Sequence, residues 1–207
     1  VIAQGSAEWH ALRVGKATAS RIADIMRKGK GGTVSMSRAR YMGELIAERL
    51  TGVPADSFKS ADMQWGNDTE AQAREFYELC TGYDLAAIDF VDHPVIAMSG
   101  ASPDRLVRND GLLEIKCPAT HTHIETLLGA KIDPDYITQM QWQMACTNRA
   151  WCDFVSFDPR LPEDLRISIT RVDRDNERIG ELEAAVRVFL SEVDAKLAAL
   201  DGLRKAA

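Results

Sequence analysis

Ser102-Pro103-Asp104-Arg105-Leu106-Val107-Arg108-Asn109-Asp110-Gly111-Leu112-Leu113-Glu114-Ile115-Lys116 is the stretch on which the reading of this chain turns. Asn109-Asp110-Gly111 is a strong hairpin signal, since these residues tolerate the positive φ that tight hairpin turns require. The β-prone runs on either side, Asp104 to Val107 and Leu112 to Lys116, then read as paired strands, and Asp104 and Glu114 can approach each other across the turn. Glu114 and Lys116 are two residues apart, so both side chains fall on one face of their strand. Two carboxylates and a lysine thus share one end of a sheet. An isolated Glu-x-Lys is most often a solvated surface pair of little consequence. Here the charges sit among Leu112, Leu113 and Ile115, and charged residues within an apolar strand need a reason. Carboxylate oxygens suit Mg²⁺ or Mn²⁺, and a lysine beside them can orient or deprotonate a water and offset developing charge.

Outward from this hairpin the chain alternates helical and strand patterns. Toward the N-terminus, Thr18 or Ser20 can cap a short helix carrying Ile22, Ile25 and Met26, and Lys28 to Gly32 reads as a flexible basic loop. Ser35 or Ser37 opens a second helix that ends near Gly52. Residues 54–61 read as loop, and a third helix runs from about Asp68 to Thr81. Ala87 to Val91 and Val95 to Met98 are short β-prone runs. After the hairpin come helices over Thr120–Leu128 and Pro134–Cys146, then strands over Trp151–Phe157 and Leu165–Val172. A last amphipathic helix spans about 175–200, with Ile179, Leu182, Val186, Phe189, Leu190, Val193 and Leu197 on one face. The expected fold is α/β (α+β), a central mixed sheet flanked by helices. It forms a single domain over 1–207: a helical part to about residue 82, a core over about 83–172, and the C-terminal helix.

Composition bounds the rest. The 207 residues carry 25 Lys and Arg against 31 Asp and Glu, a net charge of −6, which excludes a protein that coats nucleic acid by bulk positive charge. The distribution is uneven: residues 1–60 hold ten basic and five acidic side chains, so their net is +5 and the remainder is −11. Such asymmetry hints at an anionic partner for the N-terminal part. No apolar run is long enough to span a membrane. The first residues do not form a secretory signal, and the missing initiator Met suggests a trimmed start, so a cytoplasmic location is expected. Cys80, Cys117, Cys146 and Cys152 lack the close spacing of cluster or zinc motifs and are expected to be free and buried.

Asp104 with Glu114-x-Lys116 is the PD-(D/E)xK nuclease signature. Around it, in order, stand Trp9-His10-Ala11-Leu12-Arg13-Val14-Gly15, Thr18-Ala19-Ser20, Trp65-Gly66, Glu70, Glu114-Ile115-Lys116-Cys117-Pro118 and Tyr136-x-x-Gln139-x-Gln141. Together these resemble the phage lambda exonuclease family, also called the YqaJ-like viral recombinase family. The resemblance implies a Mg²⁺-dependent (Mn²⁺ possible) exonuclease that digests one strand of linear duplex DNA from its 5′ end. Such an enzyme releases mononucleotides and leaves a 3′ single strand for recombination by annealing. It implies a ring-shaped homotrimer, a single-strand annealing protein as partner, and a phage or prophage origin in a bacterial cytoplasm.

The resemblance also implies roles for individual residues. Asp104, Glu114 and the Ile115 carbonyl would hold the metal, Lys116 would handle the attacking water, and Glu70 and Gln139 would act at the same centre, with Tyr136 and Gln141 as weaker candidates. Arg13, Ser20 and Ser102 match a pocket for the terminal 5′-phosphate, where a guanidinium fork and hydroxyls suit the anion. The family's second pocket arginine is missing; Thr122 stands at its place, flanked by His121 and His123. Lys30 and Met63 fall where the family places a groove cation and an apolar wedge between bases. Two alternatives compete: a catalytically silent DNA-binding scaffold, and an endonuclease or single-strand nuclease on the same fold.

Overall fold

A computed structural model of the chain describes residues 2, 4–55 and 61–206, the side chains of residues 61–63, 67 and 206 excepted. In chain order the elements are α1 (Ala7–Arg13), β1 (Ala17–Thr18), α2 (Ile22–Met26), α3 (Met36–Thr51), α4 (Ala61–Thr81), β2 (Leu85–Ala86), β3 (Val91–Asp92), β4 (Ser99–Ala101), β5 (Arg105–Val107), β6 (Gly111–Lys116), α5 (Thr120–Leu127), α6 (Pro134–Thr147), β7 (Trp151–Phe157), β8 (Ile167–Asp173) and α7 (Asn176–Ala206). The strands form two mixed sheets where one was expected. The larger has the order β2-β5-β6-β7-β8, with β6 and β7 parallel and the other neighbours antiparallel; the smaller has the order β1-β4-β3.

The hairpin forms where its turn residues place it. β5 and β6 pair with Val107 opposite Gly111 and Arg105 opposite Leu113, across a three-residue loop in which Arg108 takes a positive φ of 50°. Gly111 is required by a close approach: a Cβ there would lie 2.2 Å from the indole of Trp151 on the neighbouring strand. Strand alternation then sorts the core. Leu113 and Ile115 face Ala73 and Tyr77 of α4, while Leu112 faces Met140 and Met144 of α6. Both faces of the central strands are therefore covered, which is why β7 is buried along its whole length, Asp153 and Ser156 included. Truncating a fully buried residue such as Leu113 to Ala costs about 2–5 kcal/mol in such a setting.

A separate cluster joins α2, α3 and α7 through Ile22, Leu45, Leu182, Val186 and Phe189, and reaches α6 through Trp142. The N-terminal part is accordingly not a separate helical unit: β1 pairs with β4, and its α2 and α3 are packed against α7. Ser35 caps α3, its Oγ accepting from the Arg38 N–H, and Gly52 ends the helix in the left-handed conformation with φ 70°.

Several expected boundaries shift. Thr18 precedes a short 3₁₀ turn and makes no side-chain cap, and α2 begins only after Arg21. Helix α4 begins at Ala61 rather than Asp68, carrying Gly66 in its interior. Residues 95–98 form a turn in which Met98 has φ 59°, and the strand is the next three residues, Ser99–Ala101. Those small residues become a strand because β1 and β3 hydrogen-bond to either side of them. Leu85–Ala86 and Val91–Asp92 replace the single strand expected over 87–91. All four cysteines are free, but Cys80 is exposed and Cys117 only half-buried, where burial was expected. No helix among the described residues is long and apolar enough to cross a membrane.

Candidate active site

The β5–β6 register sets Asp104, just before β5, opposite Glu114. Asp104 Oδ2 accepts the Ile115 N–H at 2.6 Å. Glu114 is buried, and each of its oxygens has a donor. Lys116 Nζ at 2.5 Å and Gln139 Nε2 at 2.7 Å donate to Oε1, and Gln143 Nε2 at 2.6 Å donates to Oε2. Gln139 and Gln143 lie four apart on α6, so one helix face carries both amides to the strand. Lys116 also rests 4.8 Å over the ring of Tyr136, which stacks on Phe154. Glu70 approaches from α4, on the other face of the sheet, and is paired with Arg74 at 2.5 Å.

The electrostatics follow from this crowding. Burial, then the Glu114 and Glu70 charges, push the Asp104 carboxyl well above the usual carboxylate range, against the opposing pull of Lys116 and the Ile115 N–H. Burial works against the Lys116 ammonium, but Glu114 and Asp104 outweigh it and hold its pKa above the ordinary lysine value. Burial, then the Glu70, Asp104 and Asp158 charges, raise the Cys117 thiol to about 12, so it remains a neutral thiol. A concentration of buried negative charge with carboxylate and carbonyl oxygens at its edge has the donor chemistry that a hard divalent cation takes. Among the described residues no three His, Cys, Asp or Glu side chains gather closely enough to hold a metal by themselves. The fit is that of two carboxylates supplemented by the Ile115 carbonyl and water.

A second grouping lies just upstream of Asp104. Ser102 Oγ accepts from Arg13 Nη1 at 3.2 Å and from Trp9 Nε1 at 3.1 Å, and the Arg13 guanidinium lies 4.0 Å over the Trp9 ring. Burial lowers the Arg13 pKa to about 10, with Tyr41 and Glu48 offsetting only part of that cost. A half-buried guanidinium bonded to a neutral hydroxyl keeps donors that suit an anion. Ser20 is exposed, and β1 and β4 run parallel with Thr18 beside Gly100, so Ser20 and Ser102 leave the small sheet at the same end.

Other sequence candidates fall elsewhere. Gln141 braces the C-terminal junction: its Nε2 donates to the Asp173 carbonyl and its Oε1 accepts from the Asp175 N–H. His123 is fully buried between Ser156 Oγ at 2.7 Å and the Leu165 carbonyl at 2.9 Å, whereas His121 and Thr122 are exposed; the two histidines do not form a metal pair. Lys30 is exposed in the turn between α2 and α3. The Met63 side chain lies outside the described residues. The positive excess of the N-terminal sixty residues is largely consumed by acids from elsewhere: Arg38 pairs with Glu192, Arg49 with Asp194, Lys16 with Asp92 and Arg27 with Asp135. Gln143, Trp9, Arg74 and Arg105 stand at the site without having been singled out from the sequence. Helical spacing from Gln139 was the signal available for Gln143.

This geometry has counterparts among known proteins. The YqaJ-like viral recombinase domain model matches residues 8–150. An alkaline exonuclease, LHK-Exo, from Laribacter hongkongensis is 49% identical with a TM-score of 0.91, over 98% of this chain and 100% of that one. The structure of LHK-Exo in complex with dAMP matches with the same values. A phage related exonuclease from Haemophilus somnus 129PT shares the fold, with 19% identity and a TM-score of 0.70 over 92% of this chain and 99% of that one. No curated protein matches.

Proposed function

The chain belongs to the YqaJ-like viral recombinase domain family and is a nuclease of that family, and we propose that it is a metal-dependent exonuclease digesting one strand of linear duplex DNA in the 5′→3′ direction, releasing mononucleotides and leaving a 3′ single strand for recombination by annealing. The observation that carries this reading is the Asp104–Glu114–Lys116 constellation, with the Arg13–Ser102 pair two residues upstream of Asp104. The dAMP complex of LHK-Exo supports it further, since dAMP is a mononucleotide of the kind such a reaction releases.

In this reading Asp104, Glu114 and the Ile115 carbonyl would hold Mg²⁺ or Mn²⁺, which would supply Lewis acidity toward the scissile phosphate and lower the pKa of a water. Lys116 orients that water and offsets the charge developing on the phosphate. Gln139 fixes Glu114 and can hold the water or the phosphate; Glu70 adds a further acid from α4. Arg13 and Ser102, with Ser20 nearby, receive the 5′-terminal phosphate, which restricts cleavage to a free end. Lys30 and Met63 remain candidates for groove contact and base-pair wedge. The whole chain is one catalytic domain, acting in the cytoplasm of a bacterial host as a homotrimer around DNA with a single-strand annealing partner. Sedimentation velocity reads the assembly: a monomer at micromolar concentration would contradict the ring.

Incubation of closed circular and linear duplex with Mg²⁺ tests the activity. Loss of the linear form with the circle intact, and quenching by EDTA, is the expected outcome. Cutting of the circle favours an endonuclease, and binding without hydrolysis favours a silent scaffold.

A further inference from the structure

Arg105 follows the metal-site aspartate directly, and strand alternation puts it on the α4 side of the sheet with Val107 and its cross-strand partner Leu113. Its Nη1 donates to the Asp104 carbonyl oxygen at 2.5 Å. It forms no ion pair with a carboxylate among the described residues, because Glu70 on the facing helix is engaged by Arg74. A guanidinium carries five N–H donors in a planar fork, so a single bond to a neutral carbonyl leaves most of that capacity unused. Arg74 lies on the helix that covers this face of the sheet, so two guanidiniums stand on one side of it, and of the two only Arg74 has an acidic partner among the described residues. Like charges held together in this way are relieved by an anion.

We propose that Arg105, flanked by Arg74, contacts a backbone phosphate of the bound DNA beside the Asp104–Glu114 carboxylates. The inference rests on the nuclease reading of that site and adds a substrate contact to it. In the chain, Ser102 with Arg13 lies before Asp104 and Arg105 lies after it, so the reactive acids are bracketed by two phosphate-binding groups. The first recognises an end; the second holds the internal backbone and fixes which phosphodiester meets the acids. Such a contact takes any sequence, as backbone contacts position the duplex without reading bases.

Fluorescence anisotropy with a short 5′-phosphorylated duplex in EDTA separates binding from hydrolysis. Arg105→Ala is expected to weaken binding about tenfold at low salt and to reduce the slope of log affinity against log salt by about one contact. Arg105→Lys keeps the charge and retains the slope, and Arg178→Ala, an α7 cation paired with Glu181, changes neither. Wild-type protein that degrades the duplex with Mg²⁺, together with a folded Arg105→Ala variant of unchanged affinity and slope, would overturn the Arg105 assignment alone. Wild-type protein that neither binds nor degrades the duplex would overturn the nuclease reading itself.

Discussion

Helices α4 and α6 flank the same pair of acidic strands with opposite chemistry. From α6 come two neutral amides, Gln139 and Gln143, each bonded to an oxygen of buried Glu114; Gln143 is itself fully buried, with an Oε1 that has no partner. From α4 comes a charged pair, Glu70 and Arg74, partly open to solvent. Amides can fix a carboxylate without changing its charge, whereas an ion pair can release either member when a competing charge arrives. The α6 side therefore fixes Glu114 through neutral amides, whereas the α4 side holds an ion pair that a competing charge can open.

The largest effect belongs to the strands between the two helices. Asp104→Asn is expected to lower the rate of duplex degradation by 10²-fold or more, the scale on which positioned acid and base groups act. The same variant is expected to melt a few degrees higher than the wild type in EDTA, because it removes one of several crowded carboxylates. Activity assays beside calorimetry check both; a lower melting temperature would contradict the account of crowding.

The two helices then separate. Gln143→Leu removes a donor to a buried charge, a loss of about 1.5–3 kcal/mol, and should reduce both kcat and the melting temperature. Glu70→Gln should reduce kcat about tenfold, the cost of about 1.4 kcal/mol at the transition state, with the melting temperature unchanged, since i,i+4 pairs contribute only about 0.3–0.5 kcal/mol. Equal thermal effects of the two substitutions would erase the contrast between the amide side and the ion-pair side.

The smallest effect lies in the turn after β7, whose Arg160 rests 4.4 Å over the ring of Trp65 on α4. Asp158 accepts from Arg160 through its backbone N–H, Nε and Nη2. Its burial opposes ionisation, but the Arg160 hydrogen bonds outweigh it and hold the carboxyl down at about 2. A depressed carboxyl stabilises the fold fully above the unfolded value near 4 and loses that contribution as pH falls toward 2. Urea midpoints should show Asp158→Asn less stable than wild type at pH 6, with the difference shrinking near pH 2.5.

The strength of the sequence reading follows how local each signal was. The Asn109-Asp110-Gly111 turn and the Glu114-x-Lys116 spacing act over a few residues, so the hairpin and the shared face of Glu114 and Lys116 were legible directly. β7 was legible as a strand over Trp151–Phe157, where aromatic and β-branched residues dominate. The strand Ser99–Ala101 was hidden, since nothing in Ser-Gly-Ala favours a strand until β1 and β3 arrive from far away in the chain. Gly66 and Asn67 precede the helix start expected at Asp68, yet α4 continues through them; tertiary packing overrides a propensity cost of about 1 kcal/mol. Charge counting along the chain could not show which cations are paired, because acids of α7 reach the basic residues of α3. Gln143 carried only its helical spacing, and its bond to Glu114 spans twenty-nine residues.

The central claim is an end-dependent hydrolysis at Asp104, Glu114 and Lys116, and one digestion tests it most directly. Linear duplexes labelled at one end, carrying either a 5′-phosphate or a 5′-hydroxyl, are incubated with Mg²⁺ and the products followed in time. The account predicts labelled mononucleotide released first from the 5′ end, faster from the phosphorylated duplex, with Arg13→Ala removing that preference and Lys116→Ala removing the activity. Release from the 3′ end, internal fragments, or full activity in Lys116→Ala would contradict it.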